Sequence, residues 1–463
     1  MLDYMKSIEL LPTDENILDT IYKDPFNRNI EIEAFLKMLT TIEGHFSISI
    51  DGKWGSGKTF FIKQCEMVLN VLDGENSLDS EKSSKILHSS ILSQNNLRES
   101  LKKQKCVYFD AWANDSYGTP LIALLNTLIN NQNLLKIADL EKLKSTLKKI
   151  GEKFLSEKIG FDVSLFDQVI QRKEIQDFQE QLDLHEYIEK VINSLIEDGQ
   201  RLNIFIDELD RCNPRFAVKL LEEIKHYFLL DNITFIFSTN IEELSKTVNK
   251  FYGNEFSGDK YLNRFFDLSL SIPEIDQVSY FRYLTSKDSS WVYKKNELAV
   301  IKFLNMSLRE VNSFVTNNEI IDYQKLASNP EIFTREHKDI YMYVLWSVVP
   351  ILVGFHTVND SLYRRIISGT GKEVFSEALR NVKFWDLLQY DALYTEVFEL
   401  CGFSKSLDFE KNVENVTAFI YKRLFIEPIT INQAKTEADI FWCAISQNLN
   451  GVLKTISQNF RFE

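Results

Sequence analysis

Two short stretches carry residues whose types and spacing could do chemistry. The first is Gly52-Lys53-Trp54-Gly55-Ser56-Gly57-Lys58-Thr59. A glycine, four residues, then Gly-Lys-Thr is the spacing of a phosphate-binding loop. Its glycines let the backbone curl with N–H groups pointing inward. Lys58 is placed for the β- and γ-phosphates, and the Thr59 hydroxyl for Mg²⁺. The second stretch is Ile206-Asp207-Glu208-Leu209-Asp210-Arg211-Cys212, preceded by the apolar run from Leu202. An apolar strand ending in two acids is a Walker B pattern. Mg²⁺ keeps waters and accepts one or two carboxylates plus phosphates. Asp207 suits that role, and Glu208 is the candidate that polarises an attacking water. The strand and helix that flank the first stretch set it apart from a chance glycine turn, while the second stretch alone reads as the polar start of a loop. Together they point to a nucleoside triphosphate site with Mg²⁺.

Those groups work only if the surrounding elements hold them. Phe46, Ile48 and Ile50 alternate with Ser47 and Ser49, the period of a strand, and lead into the glycine loop. The residues from Phe60 to Leu72 fit a buried helix, whose positive end adds to the phosphate site. Cys106–Phe109 predicts a second strand, running into Asp110-Ala111-Trp112. Pro120 opens a helix through Leu121, Leu124 and Leu128. Asn213-Pro214 is a helix start, with Asn as cap and Pro in the first turn. Ile233–Phe237 is a further strand, ending in Ser238-Thr239-Asn240. Asn240 either faces a ligand at the carboxyl edge of the sheet or caps the next helix. Phe266–Ile272 alternates and stops at Pro273, a strand with one wet face. Five strands alternating with helices imply an α/β fold, a parallel sheet flanked by helices.

The chain has 463 residues, 44% hydrophobic and 26% charged, enough for a real core and two or three domains. Net charge is −14, which speaks against a general nucleic-acid binder. Five dispersed cysteines without a CxxC pair argue for a reducing compartment and against a zinc site. The first residues show no signal peptide, so a cytoplasmic location is expected. Residues 1–45 read as a lead-in, with a turn at Asp24-Pro25-Phe26. Residues 73–104 are polar and read as a loop or mobile insertion. Residues 133–200 read as a charged helical insertion. Its lysines (Lys142, Lys144, Lys148, Lys149, Lys153, Lys158) form either a solvated helix face or a nucleic-acid track, and no aromatic residue is interleaved for stacking. Ile340–Phe355 carries no charge, but is short for a membrane span and contains Pro350. A buried helix broken near Pro350, and no membrane span, is the expectation. Ser307-Leu308-Arg309-Glu310 is a capping box. The expected domains are a P-loop domain over 1–275, a helical lid over 276–330 and a helical C-terminal domain over 331–463.

Taken together these stretches resemble the KAP family of P-loop NTPases, over roughly residues 25–320. The match is carried by Gly52–Thr59, by Phe109-Asp110-Ala111-Trp112 with Pro120-Leu121 and Leu124-Leu125, by Ile206–Cys212, and by Tyr252-Gly253 through Tyr261-Leu262 to Ile272-Pro273. The resemblance implies the additional-strand class of fold, with the sensor strand between the phosphate-loop strand and the Walker B strand. It puts Thr239 and Asn240 near the γ-phosphate and makes Glu208 the water-activating residue, with Asp210 as support. It implies an arginine finger at Arg264, a lid sensor at Arg309, and nucleotide contacts along Gly52 to Phe60. The chain departs from the family twice. Many members carry transmembrane helices where residues 133–200 stand, and many have Asp at the position of Glu208.

Three function classes follow. The first is an ATPase acting as a conformational or assembly switch in bacterial defence against phage or mobile DNA, as a homo-oligomer or with other defence-system proteins. The second is an ATP-driven nucleic-acid motor or loader. The third is an NTP-gated scaffold with little turnover. A small-molecule kinase is a minor fourth.

Overall fold

The computed structural model describes residues 10–73, 80–116, 119–131, 186–228, 230–253, 255–272, 274–285, 291–321, 338–382, 391–403 and 409–458. The lysines from Lys142 to Lys158 lie outside the described residues. The chain divides into two compact units, one spanning Leu11–Glu274 and one built on Ile275–Glu463.

The first unit begins with α1 (Asp14–Lys23) and α2 (Asn29–Leu39). Then come β1 (Phe46–Asp51), α3 (Lys58–Leu72), α4 (Ser80–Leu87), α5 (Asn95–Leu101), β2 (Gln104–Asp110), α6 (Pro120–Asn130) and α7 (186–195). β3 (Arg201–Asp207), α8 (Pro214–Tyr227), β4 (Ile233–Thr239), α9 (Ile241–Tyr252), α10 (Gly258–Leu262) and β5 (Leu268–Ser271) complete it. The strands form one parallel sheet in the order β2-β3-β4-β1-β5. β4, the expected sensor strand, therefore lies between the phosphate-loop strand and the Walker B strand. The register leaves the carboxyl ends flush. Asp51 sits opposite Thr239 and Ser271, while Asp207 sits opposite Ser238 and Asp110.

Alternation along the strands sorts side chains to two faces. Ile204, Ile206, Phe235 and Phe237 pack with α6 to α9 on one face. Phe205, Ile236, Ile48 and Ile50 pack with α1 to α5 on the other. Each such fully buried apolar side chain contributes about 1.5–3 kcal/mol. On β1 the alternate face is polar, and Ser49 Oγ donates to Ser269 Oγ at 2.8 Å.

Two expectations are corrected here. The lead-in is part of the core, because Ile17, Ile21, Ile32, Leu36 and Leu39 are buried against α3 and its neighbours. The polar stretch 73–104 is helical over most of its described part. Its buried apolar residues, Ile86, Ile91, Leu92, Leu97 and Leu101, recur at spacings that bring them to the core.

The second unit is helical. Its first helices are α11 (Gln277–Thr285), α12 (Trp291–Phe303), α13 (Leu308–Ile320) and α14 (Lys338–Val358). Others follow as far as Glu437–Gln458. Ser307 and Glu310 form the capping box of α13. α14 does not break at Pro350, contrary to expectation. A proline removes the N–H that would bond the carbonyl four residues back. That carbonyl, Trp346 O, instead accepts from Asn296 Nδ2 of α12 at 3.1 Å, and Ser347 Oγ lies 3.2 Å from the same amide. Gly354 lets α12 approach, since a Cβ there would stand 2.6 Å from Val300 Cγ1. Among the described residues, Ile340–Val358 is the one helix long and apolar enough to cross a membrane, and 72% of its most apolar window is buried within the protein.

Candidate functional site

β1 ends at Asp51 and the chain turns at once into the glycine loop. Gly55 (φ 79°) and Gly57 (φ 87°) take left-handed backbone angles that favour glycine. Gly52 is required by space, because a Cβ there would lie 2.6 Å from Ile272 Cγ2 and 2.7 Å from Ser56 Oγ. α3 starts at Lys58 with no side-chain cap, so its first N–H groups are available to an anion. Lys58 Nζ folds back on the loop, donating to Gly52 O at 2.5 Å and Lys53 O at 3.2 Å. Ser56 Oγ is buried with no hydrogen bond among the described residues. A glycine cradle, a lysine held over it and an orphaned buried hydroxyl fit a nucleotide's phosphates. Lys53 and Trp54 are exposed, and Phe60 is partly buried on α3.

The acids arrive on the adjoining strand ends. Asp207 is 1% exposed. Its Oδ2 accepts from Tyr108 Oη at 3.0 Å and its Oδ1 from the Glu208 N–H at 3.0 Å. Burial pushes its carboxyl above the usual carboxylate range, and these hydrogen bonds oppose the push. Glu208 has φ 60°, uncommon for a non-glycine residue. Thr59 Oγ1 lies 3.5 Å from Glu208 Oε1, while Glu208 Oε2 pairs with Arg211. Burial and the neighbouring Asp207 push Glu208 upward, and Arg211 pulls it back. Burial lowers Lys58, with Asp210, Asp207, Glu208 and Asp51 opposing. No group of three or more His, Cys, Asp or Glu among the described residues is placed to hold a metal ion. A divalent cation here would take Asp207 and Thr59 from the protein and oxygen ligands from phosphate and water, which is how Mg²⁺ is held beside phosphates.

Asp210 ties the site together. Its Oδ2 accepts from Trp54 Nε1 at 2.6 Å and its Oδ1 from Thr239 Oγ1 at 3.1 Å. Asp51 Oδ1 accepts the Ile241 N–H at 2.9 Å, which fixes the start of α9. Asn240 makes the cap of that helix, its Oδ1 accepting the Glu243 N–H at 3.3 Å. Its amide nitrogen has no hydrogen bond among the described residues.

Lys58, Thr59, Asp207, Glu208, Asp210, Thr239 and Asn240 thus meet at one edge of the sheet. Arg264 does not join them. Arg264 precedes β5 at the amino end of the sheet, where its carbonyl accepts from Lys225 Nζ at 2.6 Å and Asp267 bonds Ser47. About 13 Å of β1 separates that end from the glycine loop. Arg309 is exposed near the start of α13, in the other unit. Motif reading passed over Tyr108, Asp51 and Arg211. Tyr108 lies within the second strand and Arg211 within the Walker B run, but their partners depend on strand order and a tight turn. A family model described as the KAP family P-loop domain matches residues 28–324. No curated protein matches the chain.

Proposed function

The chain belongs to the KAP family of P-loop NTPases, and from that premise we propose that it binds ATP with Mg²⁺ and hydrolyses it as a conformational or assembly switch. The observation that carries this reading is the meeting of Lys58 and Thr59 with Asp207 and Glu208, from stretches 149 residues apart at Thr59 and Glu208. The loop N–H groups and Lys58 bind and orient the phosphates. Thr59 and Asp207 would hold Mg²⁺, which when bound supplies positive charge against the phosphate oxygens. Glu208 Oε1 orients the attacking water and takes its proton. The free amide of Asn240 senses the terminal phosphate. Arg264, remote from its own chain's loop, serves a second copy in a homo-oligomer. Arg309 acts from a lid over 276–330, and the helices of 331–463 engage other defence-system proteins. The role in cytoplasmic defence against phage or mobile DNA is supported by resemblance to soluble bacterial members alone.

Steady-state ATP hydrolysis by the purified chain, beside Lys58→Ala and with or without DNA or RNA, tests the reading. Turnover that disappears in the variant and ignores nucleic acid is the expected result. Lys58→Ala turning over at the wild-type rate would sink the site assignment. Turnover rising steeply with DNA or RNA would put the motor reading first.

A further inference from the structure

Glu208 is followed by a single 3₁₀ turn, Leu209–Arg211, closed by the Arg211 N–H donating to Glu208 O at 3.1 Å. Glu208 caps the turn from the left-handed region, and the turn returns Arg211 to it, where the two side chains pair, while Asp210 bonds Trp54 and Thr239. The two Glu208 oxygens are unlike. Oε2 pairs with Arg211, and Oε1 is nearest the Thr59 hydroxyl. Arg211 is itself seated. Its guanidinium carbon lies 5.5 Å from the centre of the Trp112 ring, a cation–π contact, and that indole is 53% exposed.

We propose that Arg211 is the positioning residue for Glu208: it holds Oε2, leaves Oε1 turned toward Thr59, and is itself held in place by Trp112. Glu208 needs such a tether. Its backbone is in the left-handed region, and Asp207 and Asp210 flank it with like charge. A carboxylate free to rotate there would turn away from both. Arg suits the task better than Lys, because its planar fork can hold a carboxylate while its face lies on an aromatic ring. The inference rests on Glu208 being the water-activating group, and the test separates the two ideas.

The test has a kinetic arm with Mg·ATP and an arm without nucleotide. Arg211→Ala is expected to lower kcat by about tenfold or more, with KM held within about threefold. Arg211→Lys recovers part of the loss, and Trp112→Ala reproduces part of it. A Glu208→Gln/Arg211→Ala double variant is no slower than Glu208→Gln, because Arg211 acts through Glu208. In urea unfolding of the nucleotide-free protein, Glu208→Gln, Arg211→Gln and the double variant give non-additive midpoint shifts. If Arg211→Ala does not fold, Arg211→Lys and Trp112→Ala carry the kinetic arm. Unchanged turnover, a loss confined to KM, or additive effects in the double variant would overturn the inference. If Glu208→Gln keeps wild-type turnover, the water-activating role fails and this inference with it. If Glu208→Gln is inactive and Arg211→Ala is not, only this inference fails.

Discussion

Asp210 shares its two oxygens between two walls of the site, the glycine loop through Trp54 and the sensor strand through Thr239. Thr239 is fully buried, so removing its acceptor strands a hydroxyl at a cost of about 1–3 kcal/mol. Asp210→Ala should therefore lower the urea midpoint and weaken ATP binding, read by calorimetry. Lowered stability with unchanged affinity would reduce the bridge to a brace of the fold. At the amino end of the sheet, His45 Nε2 is buried without a hydrogen bond among the described residues. Burial lowers the His45 pKa below 6.5; Asp267 and Asp231 oppose this, and Arg201 and Lys225 reinforce it. The folded state thus favours the neutral ring. The unfolded chain takes up a proton at higher pH, so stability is lost as pH falls through 6.5 and below. A urea-midpoint profile between pH 7 and pH 5 should fall in the wild type and flatten in His45→Asn.

At the scale of elements, α14 shows how a tertiary contact overrides a local rule. Asn296→Ala should cost about 1–3 kcal/mol by leaving Trp346 O without its partner. In a Pro350→Ala background the same substitution should cost less, because the helix then satisfies that carbonyl itself. Equal urea-midpoint losses in the two backgrounds would refute this account. The strands and the glycine loop were legible because their signals are local: Ser47 and Ser49 between apolar residues, glycines at Gly52, Gly55 and Gly57. The burial of α1 was not legible, since a short amphipathic run reads alike on a surface or under a core. Nor was the Trp54–Asp210 bond, whose partners are 156 residues apart and meet only through strand order. The order itself followed from resemblance, not from periodicity.

For the whole molecule, two compact units in one chain predict two unfolding transitions. Nucleotide bound by the Leu11–Glu274 unit should raise that unit's transition most, by about 2.7 kcal/mol at a ligand concentration a hundred times Kd, and the second by less. Differential scanning calorimetry with and without ATP reads both, and two transitions shifting together would show the units to be one cooperative body. Trp54 gives the molecule a further property. Its indole is 47% exposed, stands in the glycine loop and is hydrogen-bonded to a carboxylate. Indole emission responds to solvent and to such a neighbour, so the loop carries its own optical label at the place where phosphates would dock. Comparison with Trp54→Phe would assign that signal among the six tryptophans of the chain, and loading and emptying of the site could then be followed in real time without a dye.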